Sequence, residues 1–438
     1  MPSNSKFKKT VFENGLTLVT ERQSEFRSLS MGVWVKTGTR HENVNEWGVS
    51  HFLEHMLFKG TQNRSALQIA REVDQVGGEF NAFTARDHTC FHLLLLDRDC
   101  DLGLDILTDV LLNSEFRKDE LERERRVIFQ EVSMVQESPE ELVHDLFFAG
   151  VYRGHGLGLP ILGTPESIQK MQRKDLIRFF RRNYRPDQLV VAVAGNIEHE
   201  TIRKKLNRMG RKTGWPPTSL RDLEASVFLP PTFQSGFEWM VKPTEQVHLV
   251  WGVEGLSYSS PDRFAAFLLN VYLGGGMSSS LFQEIREKKG LAYSVYSSLC
   301  PFVDSGVFNI YAATALPQVP LCLQLIERCV EQMKDKALSR KELKVIQDNL
   351  KGTILLSSDS VEARMSSIAK NEIFLGKYVS IQEVCDQIDA VKPEDLKRVA
   401  RQLFRSDRRS VVALGPRPSA AMITKFKNRF GVPRFLRN

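Results

Sequence analysis

Apolar residues along this chain follow two different periods. The predominantly apolar runs at 29–35, 91–96, 189–195 and 247–253 are the size of β-strands with little exposed face. Stretches 67–76, 118–136 and 280–288 space their apolar residues at helical intervals instead. In KDELERERRVIFQEVSMVQ (118–136), Leu121, Val127, Ile128, Val132 and Val135 form one stripe. Gly77 and Gly78 precede two strands within 79–96, and Gly290 precedes two more within 293–312. The pattern also repeats. RKDLIRFFRRNYRPDQLVVAVAG, ending at Gly195, aligns without a gap on PEDLKRVARQLFRSDRRSVVALG, ending at Gly415. Asp175 meets Asp395, Leu176 meets Leu396, Arg178 meets Arg398, and Asp187 meets Asp407. The same shift, half the chain, brings Gly32-Val33 onto Gly252-Val253. An α+β fold is expected, with two homologous domains, each a mostly antiparallel β-sheet packed with helices. Pro216-Pro217 and Pro230-Pro231 mark 214–236 as a linker between domains at 1–213 and 237–438.

Composition narrows the class. The chain has 438 residues, and none of its apolar runs reaches the ~18 residues of a membrane span. Its beginning has no apolar signal core and no Arg- and Ser-rich transit character. The six cysteines are sparse and form no CxxC pair, which suits reduced thiols. A cytoplasmic location is expected ahead of the mitochondrial matrix. The net charge of +7 is mostly dispersed. Lys425, Lys427, Arg429, Arg434 and Arg437 make an acid-free tail, read as a solvated face. No basic module interleaved with aromatics appears, so no nucleic-acid partner is expected.

The strongest chemical signal is GVSHFLEHMLFKGT, which holds His51, Glu54 and His55 as H-x-x-E-H among apolar neighbours. On a helix, positions i and i+4 share a face, so the two imidazoles can converge on one metal ion. Glu54, three residues after His51, can reach water at that ion. Two neutral histidines need a further, anionic ligand to make a catalytic zinc site. On the 118–136 helix, Glu124 and Glu131 lie two turns apart and share a face. A single glutamate on such a helix is usually only solvated, and periodicity alone does not select either one. A buried histidine pair alone would be unremarkable, but this order of residues is the inverted zincin motif.

The sequence resembles the insulinase/pitrilysin-type zinc peptidases, and within them the short bacterial relatives of the mitochondrial processing peptidase beta subunit. The resemblance spans nearly the whole chain. It includes NGLTLVTE (14–21), HFLEHMLFKGT (51–61), FNAFTARDHT (80–89), HGLGLPILGT (155–164), GGGMSS (274–279) and the REKKGLAYSV run from Arg286. It implies a zinc endopeptidase with one Zn2+ per chain on His51, His55 and Glu131. Glu54 would be the general base, and Glu124 would support the site from behind. It implies that the strand bearing Asn81, Ala82 and Phe83 pairs with an extended peptide substrate, although the alternation of Phe80, Ala82 and Thr84 also fits an ordinary core strand. It implies further that Arg286 and Tyr293 hold substrate carbonyls and stabilise the oxyanion. The second-half counterpart of the metal helix, 263–277, has no His or Glu, so that half is expected to be an inactive, substrate-binding domain. Two departures from close relatives stand out, Ser280 in place of Arg and Trp47 before the metal helix. Family chambers contain four such domains, so a homodimer, or a heterodimer with a degenerate paralogue, is implied, with Arg286 and Tyr293 serving the partner's zinc. The expected substrates are unfolded or leader-like peptides. The alternatives are a catalytically silent scaffold subunit, which the intact motif argues against, and a structural zinc module, which would usually close its site with cysteines.

Overall fold

The computed structural model describes residues 6–213, 230–430 and 434–436. Positions 214–229, most of the expected linker, lie outside the described residues, as does Arg437 of the basic tail. The chain forms two compact units. One comprises Met1–Ser133, Leu159–Phe228 and Leu356–Val379; the other comprises Met134–Gly158, Leu229–Leu355 and Ser380–Asn438.

The first unit is built on six strands: β1 (Phe7–Val11), β2 (Thr17–Arg22), β3 (Ser28–Val35), β4 (Glu79–Thr84), β5 (Thr89–Leu96) and β6 (Leu189–Gly195). They lie in the order β1-β2-β6-β3-β5-β4, with β2 and β6 parallel and every other pair antiparallel. Edge strand β1 carries Lys8 and Lys9, charges that discourage pairing with another chain. On one face, Leu18, Met31 and Phe91 of the sheet pack with Phe52, Leu107 and Phe179 from helices Val49–Leu57, Cys100–Asn113 and Arg173–Asn183. The opposite face presents Val19, Trp34, Cys90, Val190 and Ala192. It is closed by Met365, Ile368 and Ala369 of a helix from the second half of the chain, Val361–Leu375. The Trp34 indole N–H donates to Met365 Sδ at 3.1 Å. Beside it, Arg364 makes a buried two-pronged ion pair with Glu21, at 2.9 and 2.5 Å. Met365 and Ile368 are each 1% exposed; full burial of two such side chains stabilises the docked helix by roughly 3–6 kcal/mol.

The second unit repeats the plan with β7 (Gly236–Val241), β8 (Val247–Glu254), β9 (Ala292–Pro301), β10 (Gly306–Thr314), β11 (Arg409–Gly415) and β12 (Arg434–Leu436). The order is β12-β7-β11-β8-β10-β9. The matched sequence segments occupy matched places. Helix Arg173–Asn183 leads into β6, which lies between β2 and β3; helix Pro393–Leu403 leads into β11, which lies between β7 and β8. Each of these strands is parallel to one neighbour and antiparallel to the other. One face of the second sheet packs on helices Arg263–Gly274, Val319–Asp335 and Pro393–Leu403 through Trp239, Leu249, Trp251 and Phe308. The other face is closed by Val143, Phe147 and Val151 of helix Pro139–Val151, which comes from the first half of the chain. Each sheet therefore takes one covering helix from the opposite half of the sequence. The fold is α+β, two related units with mixed, mainly antiparallel sheets.

Candidate metal centre

The helix Val49–Leu57 follows Gly48, whose φ of +86° and whose close approach to Gly163 Cα and Leu162 O leave no room for a side chain. A buried carboxyl group does the work of a cap here. Glu42 accepts hydrogen bonds from the backbone N–H of Gly48 (2.8 Å) and of Ser50 (2.9 Å), two of the donors that a helix start leaves unpaired. Phe52, Leu53, Met56 and Leu57 point into the core, which fixes the helix rotation and turns His51, Glu54 and His55 to the other side. The facing helix Lys118–Glu137 buries Leu121, Ile128 and Val132, leaving Glu124 and Glu131 on the side of the histidines.

His51, His55 and Glu131 each bring one ligand atom into a cluster within 4.8 Å. Glu131 Oε2 lies 3.4 Å from His55 Nε2 and 3.7 Å from His51 Nε2. Glu131 Oε2 and His51 Nδ1 are buried without a hydrogen-bond partner among the described residues. Three possible ligand atoms thus face one another. Tetrahedral coordination with bonds of ~2.1 Å needs donors about 3.4 Å apart, so the set fits a zinc ion. Burial, with the neighbouring His55, pushes His51 down to about 3, so its imidazole is neutral and its lone pair free at neutral pH. For His55, burial acts downward, but the Glu124 hydrogen bond and the Glu131 and Glu54 charges outweigh it and the net shift is upward.

The surroundings divide the work. His55 Nδ1 donates to Glu124 Oε2 at 3.0 Å, which leaves Nε2 for the metal. Glu124 Oε1 meets Lys59 Nζ at 2.8 Å. Burial works to raise the Glu124 carboxyl, but these two partners hold it below the usual carboxylate range. Glu54 accepts a hydrogen bond from the Thr84 hydroxyl on β4. Burial nevertheless raises Glu54 above its ordinary value, a shift suited to a general base. Strand β4 is the free edge of its sheet, and there the Ala82 amide is met by the side chain of Asn81 at 2.8 Å. Phe83, on the same strand, packs edge-on against Trp34.

Arg286 and Tyr293 belong to the other compact unit. Arg286 sits in a π-helical turn, Phe282–Glu287, where its guanidinium lies between the rings of Phe282 (4.7 Å) and Tyr293 (4.4 Å). Tyr293 is 78% exposed. Three residues of the centre escaped the sequence reading. Lys59 has one available signal, its i+4 spacing from His55; Thr84 shows in the sequence only as part of an alternation that also fits a core strand; Glu42 has none.

Family models match in two blocks: insulinase (peptidase family M16) over residues 17–165, and the peptidase M16 inactive domain over 170–350. An uncharacterised zinc protease of Bacillus subtilis, YmxG, is 38% identical over 91% of this chain and 96% of its own length. The chain belongs to peptidase family M16. A zinc protease of Mycobacterium leprae is 37% identical over 98% of this chain and 94% of its own. Among solved structures, a Helicobacter pylori protease superposes with a TM-score of 0.85 at 23% identity. The match covers 94% of this chain and all of that one. A Pseudomonas fluorescens structure described as a peptidase M16 inactive domain gives 0.86 at 20%, over 94% and 99%. M16 membership makes this chain one of a family of zinc metallopeptidases that act on peptides. Among the described residues, no helix is long and apolar enough to cross a membrane.

Proposed function

We propose that this M16 protein is a zinc endopeptidase that cleaves extended, unfolded peptides, including leader-like segments, with one zinc per chain. The observation that carries the reading is the convergence of His51, His55 and Glu131 beside a carboxyl, Glu54, that is no part of the ligand set. When bound, zinc would polarise the scissile carbonyl and make water more acidic. Glu54 takes the proton of the attacking water and delivers it to the leaving amine. Glu124 orients His55. The substrate backbone adds to the free edge of β4 as a further strand, displacing the Asn81 side chain from the Ala82 amide; Phe83 flanks this edge. Arg286, stacked on the exposed ring of Tyr293, and Tyr293 itself bind substrate carbonyls and the developing oxyanion.

In this reading residues 1–213 supply the catalytic half and 237–438 the substrate-binding half, and two chains enclose the peptide in one chamber, each lending Arg286 and Tyr293 to its partner's zinc. The protein works in the cytoplasm, in keeping with six cysteines that form no disulfide. The test is cleavage of quenched fluorescent peptides of ~15–30 residues by the wild type and by Glu54→Gln at equal zinc loading. General acid–base catalysis is worth about 10²–10⁴-fold, so the variant should keep its zinc and lose at least a hundredfold in rate. Equal rates would refute the role of Glu54. No cleavage by either protein would favour the scaffold reading. Mixing Glu54→Gln with Arg286→Ala chains should restore part of the activity; no rescue despite subunit exchange would refute the trans arrangement.

A further inference from the structure

We propose that Lys59 is a positioning residue of the metal centre, pinning Glu124 so that this carboxylate fixes the orientation and tautomer of His55. The proposal rests on the reading that His51, His55 and Glu131 hold zinc. Glu124 is almost wholly buried, its side chain 7% exposed, and each of its oxygens has one partner: Oε2 takes the His55 Nδ1–H and Oε1 takes the Lys59 ammonium. Both partners come from the same side of the cleft. The turn after the metal helix continues far enough for the Lys59 N–H to reach Met56 O at 3.2 Å, so Lys59 stands one turn beyond His55. Two groups from the histidine-bearing segment therefore grip one carboxylate from the helix that carries Glu131. The grip sets the spacing of the elements that supply the ligands as well as the angle of one ring.

The rest of the site lacks this support. His51 Nδ1 has no hydrogen-bond partner among the described residues, so its ring is held by packing. The Lys59–Glu124–His55 chain is then the polar restraint on the imidazoles. Partners of this outer kind typically carry 10–100-fold of metal affinity. Without the Lys59 charge, Glu124 would remain buried with one oxygen unmatched and with nothing to oppose rotation of its side chain away from His55.

Zinc affinity of the full chain, measured by competition with a chromophoric chelator at fixed pH and salt, tests this without recourse to activity. Lys59→Met keeps the aliphatic stem and removes the charge; it should weaken zinc about tenfold, while Lys59→Arg stays within about threefold. Glu124→Gln should weaken zinc at least as much as Lys59→Met. The double variant should be no weaker than Glu124→Gln alone, because Lys59 acts through Glu124. Lys59→Gln serves as the uncharged replacement should the methionine variant not fold. Wild-type affinity in the uncharged variant, no rescue by arginine, or full additivity with Glu124→Gln would each overturn the proposal. A wild type that binds zinc with this Lys59 dependence yet cleaves no peptide would refute the peptidase reading and leave this one standing. A wild type that holds no zinc would overturn both.

Discussion

Thr84 offers the sharpest test of how the fold prepares its base. Its hydroxyl, on the last residue of β4, donates to the Glu54 carboxylate, and both side chains are half-buried. A hydrogen bond to a charged group contributes about 1.5–3 kcal/mol. With partial solvent access the lower part of that range applies, about 1.5–2 kcal/mol, or ~10–30-fold in the ionisation constant of Glu54. Thr84→Val deletes the donor and keeps the shape. At equal zinc content it should reduce kcat/KM by that factor on the acid limb of the pH profile, where the rate follows the ionised fraction of Glu54. The pH profile should move as well. Burial already holds the Glu54 carboxyl above its ordinary value, and the Thr84 hydrogen bond opposes that rise. Losing the bond raises Glu54 further, and since the ionised carboxylate is the base, the acid limb of kcat/KM against pH shifts upward. Quenched-peptide kinetics across pH, with zinc content measured on the same samples, decide the matter. A change below threefold with an unmoved acid limb would refute the coupling of β4 to the base.

Arg364→Met leaves Glu21 charged and buried, and should cost about 3–5 kcal/mol in urea unfolding, most of it recovered when Glu21→Leu is added; a single variant as stable as the wild type would contradict the burial argument. Burial pushes Glu42 up to about 8 against its two backbone donors. Between its ordinary value near 4.5 and 8 the folded chain keeps a proton that the unfolded chain releases, so this group makes stability fall as pH rises through that window. Glu42→Gln should flatten that slope in denaturant titrations from pH 5 to 8, and an unchanged slope would assign it to other groups.

The two-unit α+β fold was legible because its evidence is periodic. The repeat ending at Gly195 and at Gly415 marks a helix entering a central strand, and those positions are β6 and β11. The spacing of His51, Glu54 and His55 could be read for the same reason, one helix face. Glu131 could be singled out only through the family resemblance, since Glu124 and Glu131 look alike in periodicity. Lys59, Thr84 and Glu42 act across elements distant in sequence or around a helix end, and no period encodes such contacts. The 280–288 stretch reads as an ordinary helix, yet Phe282–Glu287 winds as a π-helix; a one-residue change in hydrogen-bond step leaves no mark on an apolar pattern. Nor does an amphipathic stripe name its sheet. Helices Pro139–Val151 and Val361–Leu375 each pack on the sheet of the opposite half of the chain, a pairing that no local pattern announces.

That exchange of helices bears on how the chain is made. As it leaves the ribosome, the first sheet is complete in strands once Gly195 has emerged, but the face bearing Trp34, Cys90 and Val190 stays uncovered until Met365 and Ile368 are synthesised. At roughly 5–20 residues per second, that delay lasts on the order of ten seconds or more. For that time the nascent chain presents a wet apolar surface of the kind that holding chaperones bind, and Glu21 waits in it without its arginine. Duplication made two copies of one fold, and trading a helix made each copy's maturation depend on the other's translation.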